Sequence, residues 1–255
     1  MRTPIKQSIN NFSSLAVLKD LIPAGNIVNS FLFFGGDIEF NLAESKRLII
    51  AHSDKFVVCE FWETALENPK RIADIAQHFF GAFQKEEKIF HLLQENWPKY
   101  HDPFVRSALF FILNRCSDTG LISSGKFNDK HFNPLSLSRL KNFAPTNFAL
   151  KWNKEEDFPQ QISRVEGGDV LLFPIGKFGY NFLEQGKPRG FETMVINHKK
   201  LSENLKEEKR KWIVLYKYHS GVMELYGKYN IIMVDKYGRK IKDEQNCKEL
   251  VIANF

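Results

Sequence analysis

The residue types with most scope for chemistry lie in the middle of the chain and at one glycine pair. Arg115, Lys126, Lys130, Arg139 and Lys141 are spaced through one stretch. Basic residues permit contact with phosphates but are a weak signal alone. Phe127 and Phe132 interleave with them, and rings there either stack on bases or pack beneath the loop, with packing the simpler expectation. Gly35-Gly36 stand between an apolar run and a helical pattern, where a tight turn could cradle a phosphate, though two glycines alone say little. The 7 histidines, His52, His78, His91, His101, His131, His198 and His219, are scattered, so a metal site would need unrelated segments to converge. Ordinary surface or core histidines are the expectation. Cys116 beside Arg115 has the makings of a reactive thiol, but a buried structural cysteine is expected. The basic run Lys206–Lys211, with Lys199 and Lys200, reads as a solvated helix face.

These residues must be positioned by an α/β framework. The chain has 255 residues, 43% of them hydrophobic and 26% charged, which suits one α/β domain with an inserted subdomain. Its 24 phenylalanines enlarge the core or an interface without specifying chemistry. The formal charge of +6 permits nucleic-acid contact but is weak on its own. Cys59, Cys116 and Cys247 show no paired spacing, which fits a reducing compartment. The opening MRTPIKQSINN lacks the apolar core of a signal peptide, and the apolar runs are too short to span a bilayer. No membrane contact is expected, and the location is read as cytoplasm or virion. Ile27–Phe34 reads as a buried strand ending at Gly35-Gly36. Asp37–Leu42 opens a helix, and Arg47–Ala51 is a second strand. From Glu60 to about Pro145 the pattern is helical, including Pro69–Phe80 and Asp102–Asn114, the latter with Asp102 as cap and Pro103 in its first turn. Gly120–Pro134 reads as an exposed loop. Strands return at Asp169–Phe173, Trp212–Tyr216, Met223–Tyr226, Tyr229–Val234 and Glu249–Asn254, around a charged helix at Lys199–Lys211 and a turn at Lys236-Tyr237-Gly238.

Several segments, in order, resemble the Dam-like family of DNA adenine-N6 methyltransferases. Ser107–Leu121, SALFFILNRCSDTGL, preceded by Asp102-Pro103-Phe104 and followed by GKFN at Gly125–Asn128, is similar to the family's LNR helix and G-x-F-N stretch. Gly168–Leu172, GDVLL, resembles the strand that leads into the catalytic DPPY motif. Lys248–Phe255, KELVIANF, is similar to the terminal strand. Asn29–Asn41 and Arg47–Asp54 match the cofactor turn and the ribose-binding strand more loosely. The resemblance implies a Rossmann-like class I methyltransferase fold with a mixed sheet. Its core would be residues 1–59 and 161–255, and a helical insertion resembling a target-recognition region would occupy 60–160. It also places the basic set from Arg115 to Lys141 where family members contact DNA.

The departures from the family pattern bear on activity. Where DPPY would offer acceptors to the target amine and a ring to the flipped base, this chain has Pro174, Ile175, Gly176 and Lys177. Lys177 would set a positive charge beside an amine that becomes positive. Tyr180 nearby reads as an ordinary tyrosine, and no Pro-Pro pair occurs elsewhere. Lys6-Gln7-Ser8-Ile9-Asn10-Asn11 stand in place of a glycine-bearing cofactor segment. At the first turn Asn29 replaces an acidic residue, and two phenylalanines, Phe33 and Phe34, stand beside Gly35-Gly36. His52 stands where an aspartate would hold the ribose, and Asp54 lies two residues on, displaced by roughly 7 Å. Lys6, Asn29, Phe31, Gly35, Gly36, His52 and Asp54 are thus vestigial cofactor positions. The expectation is a protein that does not methylate and binds no cofactor. It would serve as a DNA-binding or a structural, assembly component, with a protein partner or a second copy, and a phage or viral origin would suit the latter. The alternative is an active enzyme that uses S-adenosylmethionine through divergent motifs.

Overall fold

The structure is a computed structural model that describes residues 2–6, 13–82, 86–153, 158–178, 182–185 and 194–255. Gln7–Asn11 and Tyr180, singled out above, lie outside the described residues. In chain order the elements begin with α1 (Leu15–Leu21), β1 (Ile27–Ser30), α2 (Asp37–Glu44) and β2 (Leu48–Ser53). There follow α3 (Phe56–Glu67), α4 (Pro69–Ala82), α5 (Glu87–Asn96), α6 (Pro103–Arg115) and α7 (Pro134–Lys141). The chain then runs through β3 (Phe148–Trp152), α8 (Phe158–Arg164), β4 (Val170–Gly176), β5 (Phe182–Gln185), β6 (Met194–Asn197) and α9 (His198–Glu207). It closes with β7 (Lys211–Lys217), α10 (Ser220–Tyr226), β8 (Asn230–Val234), β9 (Lys240–Ile241) and β10 (Glu249–Ala253).

Eight strands form one sheet in the order β3-β2-β1-β4-β7-β10-β8-β9. Neighbours from β3 through β7 are parallel, and β10 runs antiparallel to both β7 and β8. The fold is α/β and Rossmann-like, with a mixed, mostly parallel sheet flanked by helices, as the sequence reading expected. All seven residues of β4, VLLFPIG, are buried, which is why this stretch lacks the alternation of a one-faced strand. On one face Val28, Ile49, Leu172 and Leu215 pack with Val17 and Leu18 of α1 and Ile38 and Leu42 of α2. On the other, Leu171, Phe173, Trp212 and Val214 pack with Leu201 and Leu205 of α9 and with Val222 and Tyr226 of α10.

Between β2 and β3 the five helices α3 to α7 build a unit around α6. The carboxylate of Asp102 caps α6 by accepting from the amides of Phe104 and Val105 at 2.7 and 3.0 Å, with Pro103 in the first turn. From Ser107 to Arg115 every residue of α6 is buried, so this helix is core all round rather than amphipathic.

Three expectations need correction. Phe148–Trp152 lies inside the stretch read as helical, yet it pairs in parallel with β2 and forms the sheet's edge. Its half-exposed alternation gave too weak an apolar signal. Met223–Tyr226, read as a strand, belongs to α10, because Val222 and Tyr226, four apart, bury one helical face and His219 accepts the Gly221 amide at the cap. Gly120–Pro134 is not a simple exposed loop. Ile122, Ser123, Gly125 and Phe132 are buried, and the amide of Gln94 donates to the Ile122 and Gly125 carbonyls at 3.1 Å each.

Candidate functional site

In an open α/β sheet the ligand crevice lies beyond the carboxyl ends of the strands where their order reverses. Here the chain steps from β1 to β2 and β3 on one side, then returns to β4 on the other. The crevice is therefore bounded by the ends of β1 and β4. Leu32, Phe34, Gly35, Gly36, Asp37, Ile38, Glu39 and Pro174 line it. The pocket that these residues enclose has a volume of about 10 Å³, about enough for one water molecule.

The sequence explains the closure. Phe31 continues the ladder, its amide donating to the Leu172 carbonyl at 2.9 Å. Its ring lies between those of His52, 4.8 Å away and 14° from parallel, and Phe173, 5.0 Å and 11°. Phe33 turns the other way, into the rings of Phe40, Trp62 and Phe148, while the Phe34 carbonyl accepts from the Trp62 indole at 2.6 Å. Leu32 between them holds φ at +61°, a left-handed conformation that a leucine adopts at a cost of about 1–2 kcal/mol. Gly36 caps α2 at φ +73°, and a Cβ there would fall 2.2 Å from the Phe40 ring. Gly35-Gly36 do make the tight turn foreseen, but the turn faces phenylalanine rings.

The two positions where the resemblance expects cofactor-binding carboxylates bond to each other. His52 Nε2 donates to Asn29 Oδ1 at 2.9 Å, His52 Nδ1 accepts from Asn153 Nδ2 at 3.1 Å, and Asn29 Nδ2 donates to the Gly167 carbonyl at 3.3 Å. The two outer bonds fix the tautomer of the ring. Burial, then the charge of Lys151, pushes the imidazole down to about 4, so it is neutral at physiological pH. Gly168, at φ +93°, must be glycine, since a Cβ would meet Asn29 Nδ2 at 2.2 Å. Asp54 does not take over the ribose position. It is partly exposed and pairs with Lys55 at 2.8 Å.

Pro174 and Gly176 flank a register shift against β7, with Gly176 at φ +89°. Ile175 between them is fully buried in the core. A proline without an amide is tolerated at such an irregularity. Lys177 emerges into solvent beyond the strand. Among the described residues, Pro174–Lys177 therefore put no side-chain acceptor at the end of β4. The carboxyls that do border the crevice were missed by the sequence reading. Glu39, 4% exposed, accepts from Ser30 Oγ at 2.7 Å, and burial raises its pKa against that bond. Burial also raises Asp37. The available signal was their place in the first turn of the helix that follows the glycines. Burial pushes the thiols of Cys59 and Cys116 up to about 12, which removes them as nucleophiles. Among the described residues no group of histidine, cysteine and carboxylate side chains is arranged to hold a metal.

The basic set divides. Arg115 is buried, and its guanidinium donates to the Pro4 carbonyl. Burial and then Arg139 lower its pKa to about 10, which leaves it charged. It holds the N-terminal segment together with Asn114, which accepts from the Lys6 amide at 2.6 Å and donates to the Lys6 carbonyl at 3.0 Å. The Lys6 amine in turn donates to the Ser117 and Asp118 carbonyls at 3.0 and 2.5 Å. Arg115 thus leaves the set expected to face DNA, because it ends a helix that is core all round. Lys141 pairs with Asp74 of α4 at 2.8 Å. Lys126 and Lys130 are exposed, Arg139 is half-buried, and none of the three has an acidic partner among the described residues. The pKa of His131 is lowered by burial and by Lys6, Arg115 and Lys130, so these cations lie close around it. Phe132 stacks on Phe80 at 4.0 Å, and Phe127 packs 5.5 Å from Phe90. Both rings serve packing.

No family model and no curated protein matches this chain. No helix among the described residues is long and apolar enough to cross a membrane.

Proposed function

We propose that this chain is a methyltransferase-shaped protein that no longer methylates and that acts by binding DNA. The packing at the end of β1 carries the reading, with the Phe31 ring stacked between His52 and Phe173 and His52 bonded to Asn29. S-adenosylmethionine would need several hundred cubic ångströms, and the pocket lined by Leu32, Phe34, Gly35, Gly36 and Pro174 offers about 10 Å³. Opening it would break the Phe31 stack and bury a ligand's polar groups against phenylalanine, with no carboxylate at position 29 or 52 to receive the ribose. The DPPY position compounds this, since neither Pro174 nor Ile175 offers a side-chain acceptor and Lys177 has the wrong charge for the reacting amine. What remains for contact are the cations Lys126, Lys130 and Arg139, which have no acidic ion-pair partner among the described residues and suit a phosphate backbone read without regard to sequence.

Titration calorimetry with S-adenosylmethionine, paired with a methylation assay on adenine-containing duplex DNA, tests the first half of the proposal. The expected result is no binding up to millimolar ligand and no label in N6-methyladenine. Micromolar cofactor binding would overturn the closed-crevice reading, and methylated adenine would establish the active-enzyme alternative. Fluorescence anisotropy with a duplex at low salt tests the second half, and absence of binding there would remove the DNA role.

A further inference from the structure

Arg115 carries a charge that the fold does not compensate. It is 7% exposed, and its Nε has no hydrogen-bond partner among the described residues. Its guanidinium donates to the Pro4 carbonyl, a neutral group. A cation taken out of water without an anion beside it is costly. Further cations gather around it instead. Burial and then Arg139 lower the pKa of Arg115, and burial followed by Lys6, Arg115 and Lys130 lowers that of His131. Hydrogen bonds and ring packing hold the group together. The Lys6 amine donates to the Ser117 and Asp118 carbonyls at 3.0 and 2.5 Å. The Asn128 amide donates to the Cys116 carbonyl at 2.7 Å, and Asn128 Oδ1 accepts from the Lys130 amide at 3.3 Å. The turn that bears Lys130 and His131 is thereby tied to the end of α6. The Phe111 ring lies 5.8 Å from that of Phe132 and 5.9 Å from the Arg115 guanidinium. Between Asn114 and Lys141 the acidic residues are Asp118 and Asp129, and Gln7–Phe12, outside the described residues, contain none. Set against Lys6, Arg115, Lys130 and Arg139, the two aspartates leave two positive charges.

We propose that Lys130, His131 and Arg139 bind a phosphate dianion over the buried Arg115, the doubly charged group of a phosphate monoester or of inorganic phosphate. The Lys130 amine and the Arg139 guanidinium supply charge-assisted donors, and the neutral imidazole of His131 has one N–H to give. Arg115 stays beneath, held by Pro4. Its charge acts through the protein interior, where it is screened less than in water. A dianion matches the two uncompensated charges, whereas a phosphodiester inside a DNA strand carries one negative charge and would leave half of the excess. The site therefore prefers a monoester to the diester backbone. It lies within the surface proposed for DNA. It rests on that reading where the monoester is the phosphorylated end of a DNA strand, and stands apart from it where the ligand is a free phosphate compound.

Titration calorimetry of the full chain with inorganic phosphate tests the site, at fixed ionic strength and at pH 8, where the probe is doubly charged. Submillimolar binding is expected. Lys130→Ala and Arg139→Ala should each weaken it about tenfold. These changes decide the matter better than one at Arg115, which holds the N-terminal segment and whose loss lowers stability. Lys236→Ala, which removes an exposed charge from the turn after β8, should leave phosphate binding as it was. No binding up to about 10 mM phosphate would overturn the proposal. So would binding that ignores both Lys130→Ala and Arg139→Ala. Duplexes that differ only in bearing phosphate or hydroxyl at their ends separate the two sources. Tighter binding of the phosphorylated duplex, competed by inorganic phosphate, would assign the site to a DNA end. Phosphate binding without duplex binding would keep the site for a free phosphate compound and remove the DNA role. Duplex binding that is indifferent to end phosphates, in a protein that ignores inorganic phosphate, would keep the DNA role and overturn this site.

Discussion

His52 and Asn29 share a hydrogen bond of 2.9 Å between imidazole Nε2 and amide Oδ1, in a chain of donors that runs from Asn153 to the Gly167 carbonyl. Every polar atom of the ring is thereby satisfied by neutral partners. This arrangement needs an uncharged imidazole, and burial supplies one by lowering the pKa from 6.5 to about 4. The unfolded chain binds a proton near pH 6.5 that the folded chain refuses until about pH 4. Stability is therefore full above pH 6.5, falls as the pH drops through that window, and levels off below it. The loss reaches about 3 kcal/mol at most. Urea midpoints at pH 7.5 and 4.5 measure it, and His52→Asn should remove most of the histidine's share of the slope.

Phe31 is fully buried and stacks on rings to either side of it. Phe31→Ala should cost about 3–5 kcal/mol, through lost transfer energy and the cavity left behind. A lower urea midpoint with an unchanged slope is the expected record. A loss under 1 kcal/mol would mean that neighbouring rings collapse into the gap and that Phe31 is not what keeps the crevice shut.

The buried strands β1, β2, β4, β7 and β10, the cap at Asp102 and the glycine turn at 35–36 were legible because each rests on a local rule: apolar runs, a capping carboxylate before proline, and glycine before a helix. Less legible was whatever depends on a distant partner. Arg115 reads as a surface cation, and only the arrival of Pro4 and Lys6 beside α6 shows that it is interior. Lys141 reads like Lys126 until Asp74 of α4 appears opposite it. His52 and Asn29 were legible only as two separate positions where the resemblance expects carboxylates. Their hydrogen bond was not, because it depends on the register that pairs Asn29 with Ile50 and so brings His52 diagonally across from Asn29 on the same face.

Glu249 offers a test of how the N-terminal helix is held. Its buried carboxylate accepts from the Ser13 amide with both oxygens at 2.8 Å, from the Ser14 amide at 2.9 Å and from the Lys217 amine at 2.8 Å. Glu249→Gln keeps the shape but replaces one acceptor with a donor that faces an amide and removes the ion pair. A loss of about 2–3 kcal/mol is expected. Hydrogen exchange should show Ala16–Leu21 losing protection before β1 does, whereas uniform loss would mean that α1 does not open separately.

The basic residues make the last prediction, and the structure divides them into groups with different expected behaviour. Each phosphate contact neutralised on duplex DNA adds about 0.9 to the slope of log affinity against log salt. Lys126, Lys130 and Arg139 have no acidic partner among the described residues, so each is available for one such contact. The triple change to Ala should lower the slope by about 2–3 and reduce affinity similarly for unrelated sequences, since phosphate contacts carry no base information. Lys141→Ala should do much less, because its amine already pairs with Asp74 at 2.8 Å. Arg115→Ala should leave the slope unchanged and lower stability instead, because its guanidinium is spent on the Pro4 carbonyl inside the fold. Anisotropy titrations between 25 and 200 mM salt, about the range over which such contacts dominate, read the slopes, and thermal melts read the stabilities. A slope change for Arg115→Ala as large as for an exposed lysine would mean that the N-terminal segment lifts away on DNA and exposes Arg115. An unchanged slope for the triple variant would remove this surface as the DNA contact.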